Sequence, residues 1–157
     1  MKIGIGYDVH RFAENRDLYL GGIKFDYPLG LLGHSDADVL IHAIMDAVLG
    51  ALALGDIGKL FPDTDPAYKD IDSKKLLARV VHVMENEGYC IGNVDSIVIC
   101  EAPKLKDHIQ TIRECLASLL HTDMGNVSVK ATTTEQLGFE GRREGIAAQA
   151  VVLLERR

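Results

Sequence analysis

The apolar residues of this sequence switch repeatedly between strand spacing and helix spacing, and the order of those switches limits what the chain can fold into. Ile3, Ile5, Tyr7 and Val9 alternate with glycines and polar residues, as along a strand. Leu18 to Leu20, Gly21-Gly22 and Ile23 to Tyr27 read as a hairpin closed by a glycine turn ahead of Pro28. Val39, Leu40, Ala43, Ile44, Ala47 and Val48 have helical spacing, and the Ser35-x-x-Asp38 pattern ahead of them predicts a helix from near Asp36 to about Gly50 with Ser35 as its cap. Leu76, Leu77, Val80, Val81 and Met84 mark a second helix, opened by Ser73 and stopped by Gly88. Val94 to Cys100 reads as a buried strand, and Ile109, Ile112, Leu116 and Leu119 as a third helix. Val127 to Ala131 and Ala147 to Leu154 follow as strands. Gly55 to Pro66 is too polar and turn-rich for either element and is predicted as a long surface loop, of the kind that often carries function. A chain of 157 residues has the length for one core. The expectation is therefore a single α+β domain over 1–157, an α/β sandwich whose mixed sheet carries its helices mainly on one face.

Composition excludes several kinds of partner. Hydrophobic residues at 47% and charged residues at 25% match a soluble globular protein. The longest apolar stretches are broken by His42, Asp46 and Gly50, so no membrane span is expected. Met1 to Ile5 is strand-like from the start, without a basic region followed by an apolar one, so no secretory signal is expected and a cytoplasmic protein, or one of an organelle lumen, follows. Cys90, Cys100 and Cys115 are odd in number and form no C-x-x-C pair, which argues against a disulfide framework and a thiolate zinc site. Lys plus Arg at 17 against Asp plus Glu at 23 gives a formal charge of −6, and no basic run is present, so nucleic acid is not an expected partner. An acidic protein that handles phosphate must gather positive charge locally, through metal ions or a few placed lysines.

Two groups of residues could carry such chemistry. Asp8 and His10 are two apart along a strand and can project to the same side. With His42 they make two imidazoles and a carboxylate, the usual protein share of a catalytic zinc site with an open position. Asp38 and Asp46, four residues either side of His42, are close enough along the helix to hydrogen-bond its second ring nitrogen. The same spacing equally suits a hydrogen-bonded core histidine and an Asp8-x-His10 turn. The second group is Lys130 to Glu135, where three consecutive threonines offer hydroxyl and backbone donors to phosphate oxygens and Glu135 offers a hard oxygen ligand for magnesium. A helix N-cap at Thr134, with Glu135 and Gln136 in the first turn, would look much the same. No phosphate-loop or dinucleotide-binding glycine pattern accompanies Gly33, Gly55, Gly58, Gly138 or Gly141. His34-Ser35-Asp36 lacks a nucleophile-elbow sequence, so a hydrolase triad is rejected. His82, His108 and His121 have no carboxylates at ligand spacing and are taken as structural.

Five segments, in order, resemble one family over essentially the whole chain: GYDVHRF at Gly6 to Phe12, GHSDADVLIHAIMDA at Gly33 to Ala47, LGDIGKLFPDTDPAY at Leu54 to Tyr68, EAPKL at Glu101 to Leu105 and VKATTTEQLGFEGRREGI at Val129 to Ile146. The family is that of the 2-C-methyl-D-erythritol 2,4-cyclodiphosphate synthases of the non-mevalonate isoprenoid pathway. The resemblance implies a homotrimer with active sites between neighbouring subunits. Zinc would be held by Asp8, His10 and His42, with Val9 beside them, and a second divalent ion, magnesium or manganese, by Glu135 and the substrate phosphates. It implies that Asp56, Ile57 and Gly58, with the loop Phe61, Pro62, Asp63, Thr64 and Asp65, grip the methylerythritol phosphate end. His34 and Ser35 would cradle the phosphate under attack, with His34 and Thr133 as the catalytic pair that stabilises the transition state. The cytidine would sit among Cys100, Glu101, Ala102, Pro103, Lys104, Leu105 and Lys106 together with Thr132, Thr133, Thr134 and Glu135. Phe139 and Arg142 would complete the substrate or trimer-axis environment. Cys100 and Gln149 depart from the residues common in relatives.

The implied reaction takes 4-diphosphocytidyl-2-C-methyl-D-erythritol 2-phosphate to the cyclic diphosphate and expels CMP, as a phosphorus–oxygen lyase. Two readings compete with it: a metal-dependent phosphodiesterase or phosphatase that admits water at a similar site, and a non-catalytic trimeric module that binds metal or nucleotide.

Overall fold

The first strand turns its small residues inward. In this computed structural model, which describes residues 1–157, β1 (Lys2–Ala13) lays Gly4 and Gly6 against the helix that carries His42. Its apolar side chains point the other way: Ile3 is 71%, Ile5 62%, Tyr7 52% and Val9 44% exposed. Alternation in a strand sends successive side chains to opposite faces, and here glycine rather than isoleucine takes the buried one.

The chain continues through the hairpin β2 (Leu18–Leu20) and β3 (Ile23–Phe25), then β4 (Gly30–Leu31), α1 (Val39–Ala51), the single-turn α2 (Ile57–Leu60) and α3 (Ser73–Asn86). It then forms β5 (Tyr89–Ile99), α4 (Ile109–Leu119), β6 (Val127–Thr132), the short α5 (Gly138–Gly141) and β7 (Gly145–Arg156). The main sheet runs β4-β1-β7-β5-β6; β5 and β6 are parallel and the other neighbours antiparallel. Helix α1 lies across β1 and β7, while α3 and α4 pack over β5 and β6. The fold is the expected one, a mixed α+β sheet with helices on one face, and the face bearing Ile3, Ile5, Tyr7, Val9 and Val151 is bare.

Four parts of the chain differ from their sequence expectation. Helix α1 begins at Val39, because Ala37 holds a left-handed backbone at φ +57 that no helix can pass through. Asp38, not Ser35, is its cap. The Gly55 to Pro66 segment is not all loop, since the Asp56 carboxylate accepts from the Lys59 amide at 2.9 Å and nucleates α2, and Pro66–Tyr68 forms a 3₁₀ turn. Strands β5 and β7 also run further than their apolar cores, pairing out to Tyr89 and Arg156 with an irregularity between Ile91 and Asn93.

Asp38 does more than cap. Fully buried, it accepts from Ile41 N at 3.1 Å and reaches the hairpin turn, taking Gly21 N at 2.9 Å and Gly22 N at 2.7 Å. Burial, and after it the charge of Asp36, push its carboxyl pKa up, while those three amides pull the other way. Asp38→Ala would strand a helix donor and two turn donors at once, and is expected to lower stability by about 3 kcal/mol in urea unfolding. A loss below about 1 kcal/mol would show that water reaches these amides freely.

Candidate metal centre and its cleft

Strand alternation sends Asp8 and His10 to the helix face of β1, and α1 lays His42 over them. Asp8 Oδ2 lies 2.8 Å from His10 Nε2 and 3.1 Å from His42 Nδ1, and the two ring nitrogens are 3.2 Å apart. Three donors on a tetrahedral zinc at usual bond lengths would be about 3.3 Å from one another, so the trio needs almost no adjustment to close on a cation. His10 Nδ1 donates to Leu32 O at 2.8 Å, so Nε2 is the ring nitrogen that faces the group. These three are a potential cation-holding set by mutual distance, and Glu135 is not among them.

Electrostatics fit a site built for positive charge. Burial alone would raise the Asp8 pKa, but hydrogen bonds and charge from His10 and His42 outweigh it and hold it down at about 2. Burial works against protonation of His10, yet its bond to Asp8 and the Asp8 charge raise its pKa above the usual imidazole value. A metal entering the group therefore displaces a proton, and its apparent affinity falls with acid.

The second ring nitrogen of His42 is not served by Asp38 or Asp46, as helix spacing suggested. Asp38 is taken by Ile41, Gly21 and Gly22, and Asp46 Oδ1 accepts from Ile57 N at 2.8 Å. That last bond moors α2 to α1 at the cleft. His42 Nε2 instead meets two hydroxyls, Ser35 Oγ at 3.2 Å and Ser73 Oγ at 3.1 Å. Ser35, displaced from its expected capping role, thus belongs to the surroundings of the histidine.

A cleft of about 390 Å³ opens over this group. Of the expected residues it brings together Asp8, His10, His34, Ser35, His42, Ile57, Gly58, Phe61 and Asp63. Val9 points to the bare sheet face, Asp56 caps α2, and Asp65 caps the following turn while its carbonyl accepts from His34 Nε2 at 2.9 Å. Pro62 and Thr64 lie in the same loop without lining the cleft. Gly33, one of the glycines noted near the site, also lines it, and Tyr68 and Leu76 line it unanticipated; Tyr68, whose ring meets Phe61 edge-on at 5.4 Å, is legible in the sequence only as part of a family segment.

A second cavity, of about 350 Å³, is lined by Cys100, Pro103, Lys104, Leu105, Lys106, Thr132 and Thr133 from the expected set, together with Ile109, Val129, Lys130 and Ala131. Burial pushes the Cys100 thiol up to about 11, so it stays neutral and acts as a small apolar wall. Glu101 faces the neighbouring turn, accepting from Thr134 N at 3.2 Å and Gln136 N at 3.1 Å. No helix starts at Thr134: Glu135 and Gln136 hold left-handed φ values of +54 and +64, which make a turn and rule out the N-cap alternative. Ala102, Thr134, Glu135, Phe139 and Arg142 lie outside the cavity wall; Glu135 is exposed, Phe139 sits in α5, and Arg142 pairs with Glu144 at 2.9 Å. His82, His108 and His121 meet Asn86, the Phe25 ring and Glu85, and none of the three lines the Asp8 cleft.

A one-layered mixed sheet, with a carboxylate and two imidazoles converging at one cavity and lysines lining another, defines an α+β protein with a group that could hold a cation. The model of the YgbB family matches residues 1–155, and the chain belongs to that family. It is 62% identical over 157 residues to a 2-C-methyl-D-erythritol 2,4-cyclodiphosphate synthase of Finegoldia magna, covering 100% of this chain and 99% of that one. It is 60% identical to the synthase of the same name from Geotalea uraniireducens over 100% of both. Among solved structures, the bifunctional IspDF of Campylobacter jejuni superposes with a TM-score of 0.95 at 45% identity over 99% of this chain, which spans 42% of that longer protein. A CDP complex of Plasmodium falciparum IspF superposes with a TM-score of 0.87 at 36% identity, covering 99% of this chain and 96% of that one.

Proposed function

We propose that this chain converts 4-diphosphocytidyl-2-C-methyl-D-erythritol 2-phosphate to 2-C-methyl-D-erythritol 2,4-cyclodiphosphate with release of CMP, as a phosphorus–oxygen lyase of isoprenoid biosynthesis. The observation that carries this reading is the convergence of Asp8, His10 and His42 on one point of a cleft, in a chain that aligns end to end with relatives named for this synthase.

The substrate brings its own nucleophile, a phosphate already ionised, so the site needs no general base; its work is alignment and charge neutralisation. Asp8, His10 and His42 would hold zinc, and Glu135 with the substrate phosphates would hold magnesium or manganese. Such cations supply Lewis-acid polarisation of phosphoryl oxygens. The protein's own groups then fix the two ends of a flexible molecule so that ring closure becomes an oriented internal attack. His34 and the Ser35 hydroxyl offer donors at the attacked phosphate, Ile57, Gly58 and Asp63 grip the methylerythritol end, and Thr133 adds a hydroxyl from the other cavity. That second cavity, with its lysines and neutral Cys100, suits a cytidine phosphate.

One chain does not complete this arrangement by itself. Strand β6 is separated from β1 by β7 and β5, roughly 14 Å at usual strand spacing, so a chain's own Thr132 to Glu135 turn rises from a distant strand. A neighbouring copy that brings its turn to the Asp8 cleft solves this, and the bare row of Ile3, Ile5, Tyr7 and Val9 gives such a neighbour an apolar surface to cover. A homotrimer with three shared sites is the assembly proposed. No helix is long and apolar enough to cross a membrane; the location proposed is the cytoplasm.

Incubation with the diphosphocytidyl substrate and both metals, followed by chromatography, tests the reading. Cyclic diphosphate and CMP in equal amounts are expected. CMP with a linear bisphosphate would assign the site to a phosphodiesterase instead, inorganic phosphate to a phosphatase, and CMP binding without turnover would leave only a binding module.

A further inference from the structure

Ser73 has no part in the reaction above, yet it touches a proposed metal ligand from behind. It is the first residue of α3 and is fully buried. Its hydroxyl donates to Asp36 Oδ1 and its amide to Asp36 Oδ2 at 3.0 Å, while Asp38 N also donates to Oδ1 at 3.1 Å. An ionised carboxylate only accepts, so the single hydroxyl proton of Ser73 is committed to Asp36. What Ser73 Oγ presents to His42 Nε2, 3.1 Å away, is a lone pair. That contact is a hydrogen bond only if Nε2 carries the hydrogen.

A neutral imidazole with its hydrogen on Nε2 has its lone pair on Nδ1, the atom 3.1 Å from Asp8 Oδ2 and 3.2 Å from His10 Nε2. His10 is set in the complementary sense by the Leu32 carbonyl. Asp8 Oδ2 pulls the other way, because a carboxylate accepts a hydrogen from Nδ1 of His42 and Nε2 of His10, so Ser73 and the Leu32 carbonyl hold the two rings against that pull. Ser35, the other neighbour of Nε2, is not equivalent to Ser73: it accepts from Ala37 N at 3.2 Å, and no carboxylate claims its proton. Without Ser73 it is free to donate to Nε2, which would move the ring hydrogen to Nδ1 and aim it at Asp8.

We propose that Ser73, oriented by Asp36, is a positioning residue that selects the Nε2–H form of His42 and so presents Nδ1 to the cation. This rests on the metal-binding reading of Asp8, His10 and His42 given above.

The test uses the full chain, labelled with ¹⁵N at histidine and stripped of metal, at about pH 8.5, above the ordinary imidazole range. Long-range proton–nitrogen correlation reads the His42 tautomer, and competition with a chromophoric chelator reads zinc affinity. Wild type is expected to show Nε2–H. Ser73→Ala is expected to populate Nδ1–H and to bind zinc about 10- to 100-fold more weakly, the usual effect of losing an outer partner of a ligating histidine. Ser73→Thr keeps the committed hydroxyl and should keep both readouts. Asp36→Ala, which frees the Ser73 proton while leaving the serine in place, should shift the tautomer as Ser73→Ala does, and it decides the matter if Ser73→Ala fails to fold. Nδ1–H in wild type, or Nε2–H retained in whichever of the two variants folds, overturns the proposal. Wild type that shows Nε2–H and loses it in the variants, yet takes up no zinc, overturns the metal-binding reading while supporting the control of the tautomer by Ser73.

Discussion

His42→Ala and Asp8→Ala are each expected to abolish zinc retention and turnover together while the chain still folds. The three donors are 2.8 to 3.2 Å apart and form the only set of its kind in the chain, so removing one leaves two, fewer than the usual protein share of a catalytic zinc site. Affinity should fall by more than the roughly 100-fold that marks the upper effect of an outer partner. Folding should survive because all 38 residues of the hydrophobic core are retained. His42→Ala does leave the Ser73 oxygen without its donor, a cost of about 2 kcal/mol that a 157-residue domain of ordinary stability can bear. Metal content after dialysis, turnover of the diphosphocytidyl substrate and a thermal melt measure the three quantities separately. Either variant holding one zinc per chain with activity intact would remove the assignment of these ligands.

Legibility in the sequence followed the range of the interactions. Hydrophobic period placed every long element, because apolar burial acts along most of α1, α3, α4, β5 and β7 and writes its spacing into each. Asp8 and His10 were legible as a pair for the same reason: a period of two needs no tertiary knowledge. The surroundings of His42 were not. Helix geometry makes Asp38 and Asp46 its neighbours by spacing, but each carboxylate is captured by amides from elsewhere in the chain, Gly21 and Gly22 for one and Ile57 for the other. Ser73 lies 31 residues from His42 and was visible only as the opening of a helix. The start of α1 was misplaced because Ser35 and Asp38 are equally good capping residues, and the left-handed turn at Ala37 that decides between them falls on a residue type that rarely adopts it. The alternation in β1 announced a strand without telling which face is buried, since Ile3, Ile5, Tyr7 and Val9 would ordinarily be taken as the core side.

That inverted strand makes Gly6→Ala the second large effect. A Cβ at Gly6 would lie 1.9 Å from Ala43 O and 2.8 Å from Ala47 N, and one at Gly4 1.9 Å from Ala47 O; all are backbone atoms of α1, with no flexible side chain to swing aside. Helix α1 cannot retreat easily, because Leu40, Ile41, Ile44 and Met45 are fully buried on its other sides. The added methyl must therefore push β1 and α1 apart, at a cost of about 3 kcal/mol or more, the upper end of overpacking. For a chain of 157 residues that is a fall in melting temperature of roughly 10 °C. The same displacement acts on the site, since Asp8 lies two residues along β1 from Gly6 and His42 precedes Ala43 on α1. Zinc retention should therefore weaken even in the fraction that stays folded. Gly50→Ala is the control: its Cβ would meet nothing nearer than Ile5 O at 3.8 Å, and alanine suits a helix better than glycine, so its melting temperature should hold or rise. If Gly6→Ala melts with Gly50→Ala rather than well below it, β1 and α1 are not in backbone contact, and the close approach that brings Asp8 to His42 has another cause.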